Sequence, residues 1–233
     1  PFFRVAVPLA VLVPSFLLTS GCADPVSALF VSPPGTACDE RGDLESANAG
    51  VLRIVTWNIK SAALSSVDVI ADLLDSFGAD VIALQEVDRC TERSGDVDQA
   101  AELAERLGME HTFAAALEQS GGEYGIALLS RFPFARAERI ELPRAGGFQP
   151  RVVIDADVCA GGANPLRVLA LHADVMPWAA AAQTRFVAKL ASDTVGNGVV
   201  VTGDLNQTPE ADGVHALGEV PLVDLSPQDV GTS

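Results

Sequence analysis

Four segments of this 233-residue chain share one form, an apolar run that ends in one or two polar side chains. They are Thr56-Trp57-Asn58-Ile59, Leu84-Gln85-Glu86-Val87, Leu171-His172-Ala173-Asp174 and Gly203-Asp204-Leu205-Asn206. If the runs are neighbouring strands, Asn58, Glu86, His172, Asp204 and Asn206 meet at one rim. Such a set suits phosphate-ester chemistry. A hard divalent cation takes oxygen ligands, and Glu86 offers a carboxylate with Asn58 beside it. Hydrolysis then needs an activated water and neutralised phosphoryl oxygens. Asp204 is suited to take the water proton, Asn206 to donate to a phosphoryl oxygen, and His172 to steady the phosphate or leaving group.

Singly, each motif has a plainer reading. A carboxylate after a strand commonly caps a turn, and Gly203-Asp204 with Asn206 suits a turn that bonds its own backbone. A lone histidine is more often a packed core residue than a catalyst. The joint occurrence in this order is what favours a site.

The wider set adds Tyr124-Gly125 and Leu129-Ser130-Arg131-Phe132-Pro133 to these segments. Together they resemble the endonuclease/exonuclease/phosphatase superfamily, from about residue 51 to the end. The resemblance implies a DNase I-like four-layered α/β sandwich, two packed mixed sheets flanked by helices. It also implies a phosphoesterase of nuclease or phosphatase type that depends on Mg²⁺, with Mn²⁺ or Ca²⁺ as alternatives. By the match, Glu86 is a metal ligand with Asn58 beside the metal. Asp204 and Asn206 position water and phosphate, and His172 contacts the phosphate. Asn58, Tyr124 and Arg131 are expected on the substrate side, and Gln183 as a packing residue behind the site.

Two departures stand out. Position 126 is Ile where many members have Asn. The family closes with a Ser-Asp-His segment, whereas the only histidine after Asn206 is His215. The sandwich is therefore expected to lack its last strands, and the sequence to be a partial one, inactive as it stands. The alternative is a non-catalytic binding or scaffold domain that kept the fold.

The elements that must position these residues are legible from periodicity. Apolar residues at Val67, Ile70, Leu73, Leu74 and Phe77 have helical spacing, and Gly78 stops that helix. A second helix is predicted over 98–107, stopped by Gly108, and a third over 178–191. Strands are predicted over 51–57, 80–85, 124–130, 151–156, 166–171 and 198–202. Several strands follow one another without a helix, which argues against a simple doubly wound sheet.

Composition narrows the partners. Thirty-one acidic against fifteen basic residues give a net charge of −16, which disfavours nonspecific duplex binding. Arg131, Arg136, Arg139, Arg144 and Arg151 make a locally basic stretch that either faces a phosphate-rich substrate or balances the acidic surface. No G-x-S-x-G elbow or P-loop is present, so a serine hydrolase or nucleotide-binding fold is unsupported.

Residues 1–22 read as an export signal, with a basic flank at Arg4, an uncharged apolar core and Leu18-Thr19-Ser20-Gly21-Cys22 at its end. Cys22 resembles the lipidation point of bacterial lipoproteins, so a membrane partner through a lipid anchor is expected. Residues 23–50 read as a linker rich in Pro, Gly and charge, and residues 51–233 as the domain, expected as a monomer. In an oxidising compartment, one pair among Cys38, Cys90 and Cys159 is expected to bridge and leave one thiol over.

Overall fold

The computed structural model describes Cys38 and residues 52–160, 164–193 and 198–222. The export segment, Cys22, most of the linker and residues 223–233 lie outside the described residues.

Strand β1 (Ile54–Asn58) is followed by helix α1 (Val67–Ser76) and strand β2 (Val81–Arg89), and the two strands pair in parallel. A helical crossover is what such a pair requires. Ser66 starts α1 by accepting from the Val69 amide, and Gly78 ends it at φ +57°. Helix α2 (Gln99–Leu107) leads to a hairpin of β3 (Glu110–Gln119) and β4 (Gly122–Ser130), giving the sheet order β1-β2-β4-β3. The second sheet takes β5 (Phe134–Glu141), β6 (Val152–Val158), β7 (Leu166–His172) and β8 (Val199–Asp204), in that order. Helix α3 (Pro177–Ser192) makes the parallel crossover from β7 to β8, and α4 (Asp212–Gly218) follows.

Three apolar fillings separate four layers. α1 and α2 pack Ile70, Leu74 and Leu103 against Ile82, Leu84 and Leu129 of the first sheet. Between the sheets lie Ala83, Ile126 and Leu128 from one side and Ile154, Ala156 and Val168 from the other. α3 buries Val187 and Ala191 against Val153, Leu169 and Leu171. Ile126 is thus a core residue, which accounts for an apolar side chain there. The α/β sandwich expected from the sequence is present. Strands β3 and β5 and helix α4 were not foreseen, and β2 runs four residues beyond its predicted end.

Cys38 is bonded to Cys159, 121 residues away, which ties the segment before β1 to the end of β6. Cys90 is disulfide-bonded as well, so the expectation of a thiol left over is not met among the described residues.

Much of the basic stretch is structural. Arg136 Nη2 and Arg167 Nη2 each lie 2.8 Å from an oxygen of the Asp155 carboxylate, and Arg139 Nε donates to the Ala115 carbonyl across the sheets. Burial pushes the Asp155 carboxyl up, but hydrogen bonds from Arg167 and Arg136 outweigh this and hold it below its ordinary value. The stabilisation is complete above the unfolded value of about 3.9 and is lost as pH falls through the lower folded value. Unfolding free energies measured against pH are expected to lose part of their acid slope in Asp155→Asn. An unaltered slope would remove Asp155 from the acid response.

Candidate active site

Asn58, His172 and Asp204 end strands β1, β7 and β8, Asn206 follows β8, and Glu86 sits at a bulge within β2. In β2 the register to β4 shifts between Gln85 and Val87, and Glu86 sits at φ +55°. This bulge turns Glu86 out of the otherwise buried strand and onto the rim. In β8, Gly203 has φ +137°, and a Cβ there would meet the Leu171 carbonyl oxygen at 1.9 Å, so only glycine fits before Asp204. Asn206 follows at φ +50°, a conformation that asparagine tolerates.

The rim joins the two sheets. Asn58 Nδ2 donates to Glu86 Oε1 at 2.7 Å and to Asp204 Oδ2 at 3.3 Å, while its oxygen accepts the Lys60 amide at 3.1 Å. In this arrangement Asn58 links two carboxylates through its nitrogen. Asp204 Oδ1 accepts the Asn206 amide at 3.0 Å, and Asn206 Nδ2 donates to the Ala173 carbonyl at 3.0 Å. One N–H of the Asn206 amide is thereby used in shaping the turn, and one is left for a ligand.

His172 is buried, with Nε2 3.8 Å from Asp204 Oδ2 and Nδ1 3.1 Å from Arg151 Nη1. Burial first, then the neighbouring Arg151 charge, lowers its pKa to about 4, so the ring is neutral at neutral pH. A guanidinium has only donors, so Nδ1 must accept and the proton must sit on Nε2, towards Asp204. The sequence motifs single out His172 but not its partner. Arg151 is 7% exposed, belongs to no ion pair among the described residues, and its Nε has no hydrogen-bond partner. The one available signal was its place in the basic stretch.

In Arg151→Met, ¹⁵N spectra of the His172 ring are expected to change from the Nε2–H tautomer to a mixture, and Arg151→Lys to restore it. An unchanged tautomer in the methionine variant would show that Arg151 does not set it.

Tyr124 lies on β4 opposite Asp88, and its phenol is held neutral by burial and by the Glu86 charge. Arg93 stands over the ring at 5.6 Å and pairs with the fully buried Asp88. Gln183 is buried behind the rim, accepting the Asp174 amide and donating to the Pro143 carbonyl. Arg131 does not join the group. It follows Ser130, whose partner is Val81 at the other end of β2, and its Nε donates to the Ala79 carbonyl.

No group of three or more His, Cys, Asp or Glu side chains placed to hold a metal occurs among the described residues. Glu86 enters no ion pair among them, and the Asp204 carboxylate is met by the Asn58 and Asn206 amides and by the neutral His172, none of them a cation. Two carboxylates lacking a cationic partner fit Mg²⁺, which is bound through one or two carboxylates with water and substrate phosphate completing the shell. A cleft of about 500 Å³ opens beside Glu86 and Tyr124.

Acids, amides and one neutral histidine thus share one rim of a two-sheet sandwich. The chain belongs to the Endonuclease/Exonuclease/phosphatase family, whose sequence profile matches residues 55–232. It is similar in fold to an endonuclease/exonuclease/phosphatase from Beutenbergia cavernae DSM 12333, at 24% identity and a TM-score of 0.58, covering 72% of this chain and 53% of that one. A mannosyl-6-phosphatase of Bacteroides thetaiotaomicron VPI-5482 gives 16% identity and a TM-score of 0.59, over 72% and 70% of the two chains. The human Nocturnin catalytic domain with bound sulfate gives 21% and 0.57, over 70% and 68%. The chain thus spans about half the length of the Beutenbergia protein. No curated protein matches the sequence.

Proposed function

We propose that this chain carries the catalytic rim of an exported, divalent-metal-dependent phosphoesterase. The observation that carries the reading is the Asn58 amide spanning Glu86 on one sheet and Asp204 on the other. Glu86, with Asn58 beside it, would hold a Mg²⁺ or Mn²⁺ ion, and such an ion when bound polarises a phosphoryl oxygen and offsets its charge. In the proposed reaction a water oxygen attacks phosphorus and the bond to the leaving oxygen breaks. Asp204 takes the water proton, and the leaving oxygen takes one from solvent. His172 Nε2–H and the free Asn206 N–H donate to phosphoryl oxygens. Arg151 keeps the His172 proton on the correct nitrogen and adds a buried positive charge beside the anion.

Export is supported by the Cys38–Cys159 bond, since disulfides persist in oxidising compartments. The net charge of −16 weighs against a duplex nuclease.

The full-length protein is expected to hydrolyse bis(p-nitrophenyl) phosphate or p-nitrophenyl phosphate in the presence of Mg²⁺ or Mn²⁺. EDTA should abolish the activity, and added metal restore it. Hydrolysis indifferent to EDTA would reject the metal, and no hydrolysis of either ester would favour a binding domain that kept the fold.

A further inference from the structure

The cleft beside Glu86 has a floor held in an unusual backbone conformation. Lys60, Ser61 and Ala62 have φ of +51°, +54° and +54° in succession. Left-handed backbone is disfavoured for L-residues, so three in a row persist only where neighbours enforce them. The enforcing groups are evident. Gln99 Nε2 donates to the Ser61 carbonyl at 2.9 Å, and Arg93 Nη2 to the Ser61 hydroxyl at 3.0 Å. The Ser61 hydroxyl donates in turn to the buried Asp88 at 3.1 Å.

The turn adds Lys60 to the cleft lining, exposed and in no ion pair among the described residues. Arg93, by contrast, is already neutralised by Asp88. The rest of the wall is mainly hydroxyl and amide, including Ser65, Ser66, Gln119 and Gln149. Tyr124 is its only aromatic ring, and Arg93 stands over that ring. A nucleobase needs an open ring face to stack on, and an acyl chain needs apolar wall. Neither is offered. Phe148 and Trp178 are exposed aromatics, but they lie outside the cleft lining.

We propose that this cleft binds the organic part of the substrate and selects a polyhydroxylated phosphate ester, a sugar or polyol phosphate, over nucleotide and lipid esters. Its volume of about 500 Å³ lies within the usual range of small-molecule sites. The serine hydroxyls and glutamine amides both donate and accept, as a ring of hydroxyls requires. Lys60 donates to an oxygen of the sugar or to its phosphate. The inference rests on the phosphoesterase reading for the position of the phosphorus, and binding measurements separate the two.

The test titrates full-length protein with a hexose phosphonate, whose P–C bond resists hydrolysis, beside a nucleoside phosphonate and a short-chain diacyl phosphonate. The hexose compound is expected to bind most tightly. Lys60→Ala should weaken it about tenfold or more, the loss of one charged hydrogen bond. Trp178→Ala should weaken it less than Lys60→Ala does. In turnover, Lys60→Ala should lower the ratio of kcat/KM for a hexose phosphate to that for p-nitrophenyl phosphate. Tighter binding of the nucleoside or diacyl compound overturns the proposal. So does hexose binding that depends on Trp178 and not on Lys60. Should no ester be hydrolysed, the phosphoesterase reading fails, while the binding series still decides the cleft.

Discussion

Asp204→Ala in the full-length protein is expected to lower kcat/KM for an activated phosphodiester by about 10³-fold, the usual worth of a positioned general base. The side chain is placed for that role. Asn206 fixes one oxygen from the backbone at 3.0 Å, and Asn58 and His172 approach the other at 3.3 and 3.8 Å. With 32% of its side chain exposed, Asp204 can be removed without leaving a buried hole, so thermal stability should change little. Glu86→Ala is expected to cost a similar factor through loss of the cation. Because the two acids act as a unit, the double variant should be scarcely worse than either single one. Steady-state kinetics with circular dichroism on each variant decide it. Activity within tenfold of wild type in both single variants would remove these residues from the chemistry.

The second large effect concerns stability. Cys38→Ala with Cys159→Ala should reduce the unfolding free energy by about 4–5 kcal/mol in the chain-entropy account of a loop of more than 100 residues. For a domain of this size that lowers the melting midpoint by roughly 10–20 °C. The bridge closes 121 residues of chain, from the segment before β1 to the end of β6, and both cysteines are buried. Calorimetry on the double variant beside wild type measures the effect. A midpoint within about 3 °C of wild type would assign the bridge to local ordering only.

What the sequence disclosed follows from the physics of each element. Helices α1 and α2 were legible because a serine or aspartate caps each start and a glycine with positive φ ends it. The strands carrying Asn58, Glu86, His172 and Asp204 are continuous apolar runs and were equally plain. β3 and β5 were missed for a shared reason. Their sequences, EHTFAAALEQ and FARAERIE, are rich in helix formers, and pairing with β4 and β6 overrides that preference. At the rim, Asn58, His172 and Asp204 were legible because they end strands, whereas the bulge that turns Glu86 outward within β2 leaves no mark in the sequence. Arg151 was missed because it reaches His172 from the residue just before β6, and no local pattern marks a contact made through tertiary pairing. Arg131 misled because its arginine-aromatic-proline context marks the strand's far end as readily as its active one.

The amide bridge from Asn58 to Asp204 crosses from one sheet to the other, with Glu86 and Asp204 rooted on opposite sides. The gap between these carboxylates is therefore a gauge of how the two sheets are seated. Thinning the filling around Ile154 or Leu128 would loosen that seating before any strand came apart. Damage deep in the interior would register first as a misaligned pair of acids, and only afterwards as a molten protein.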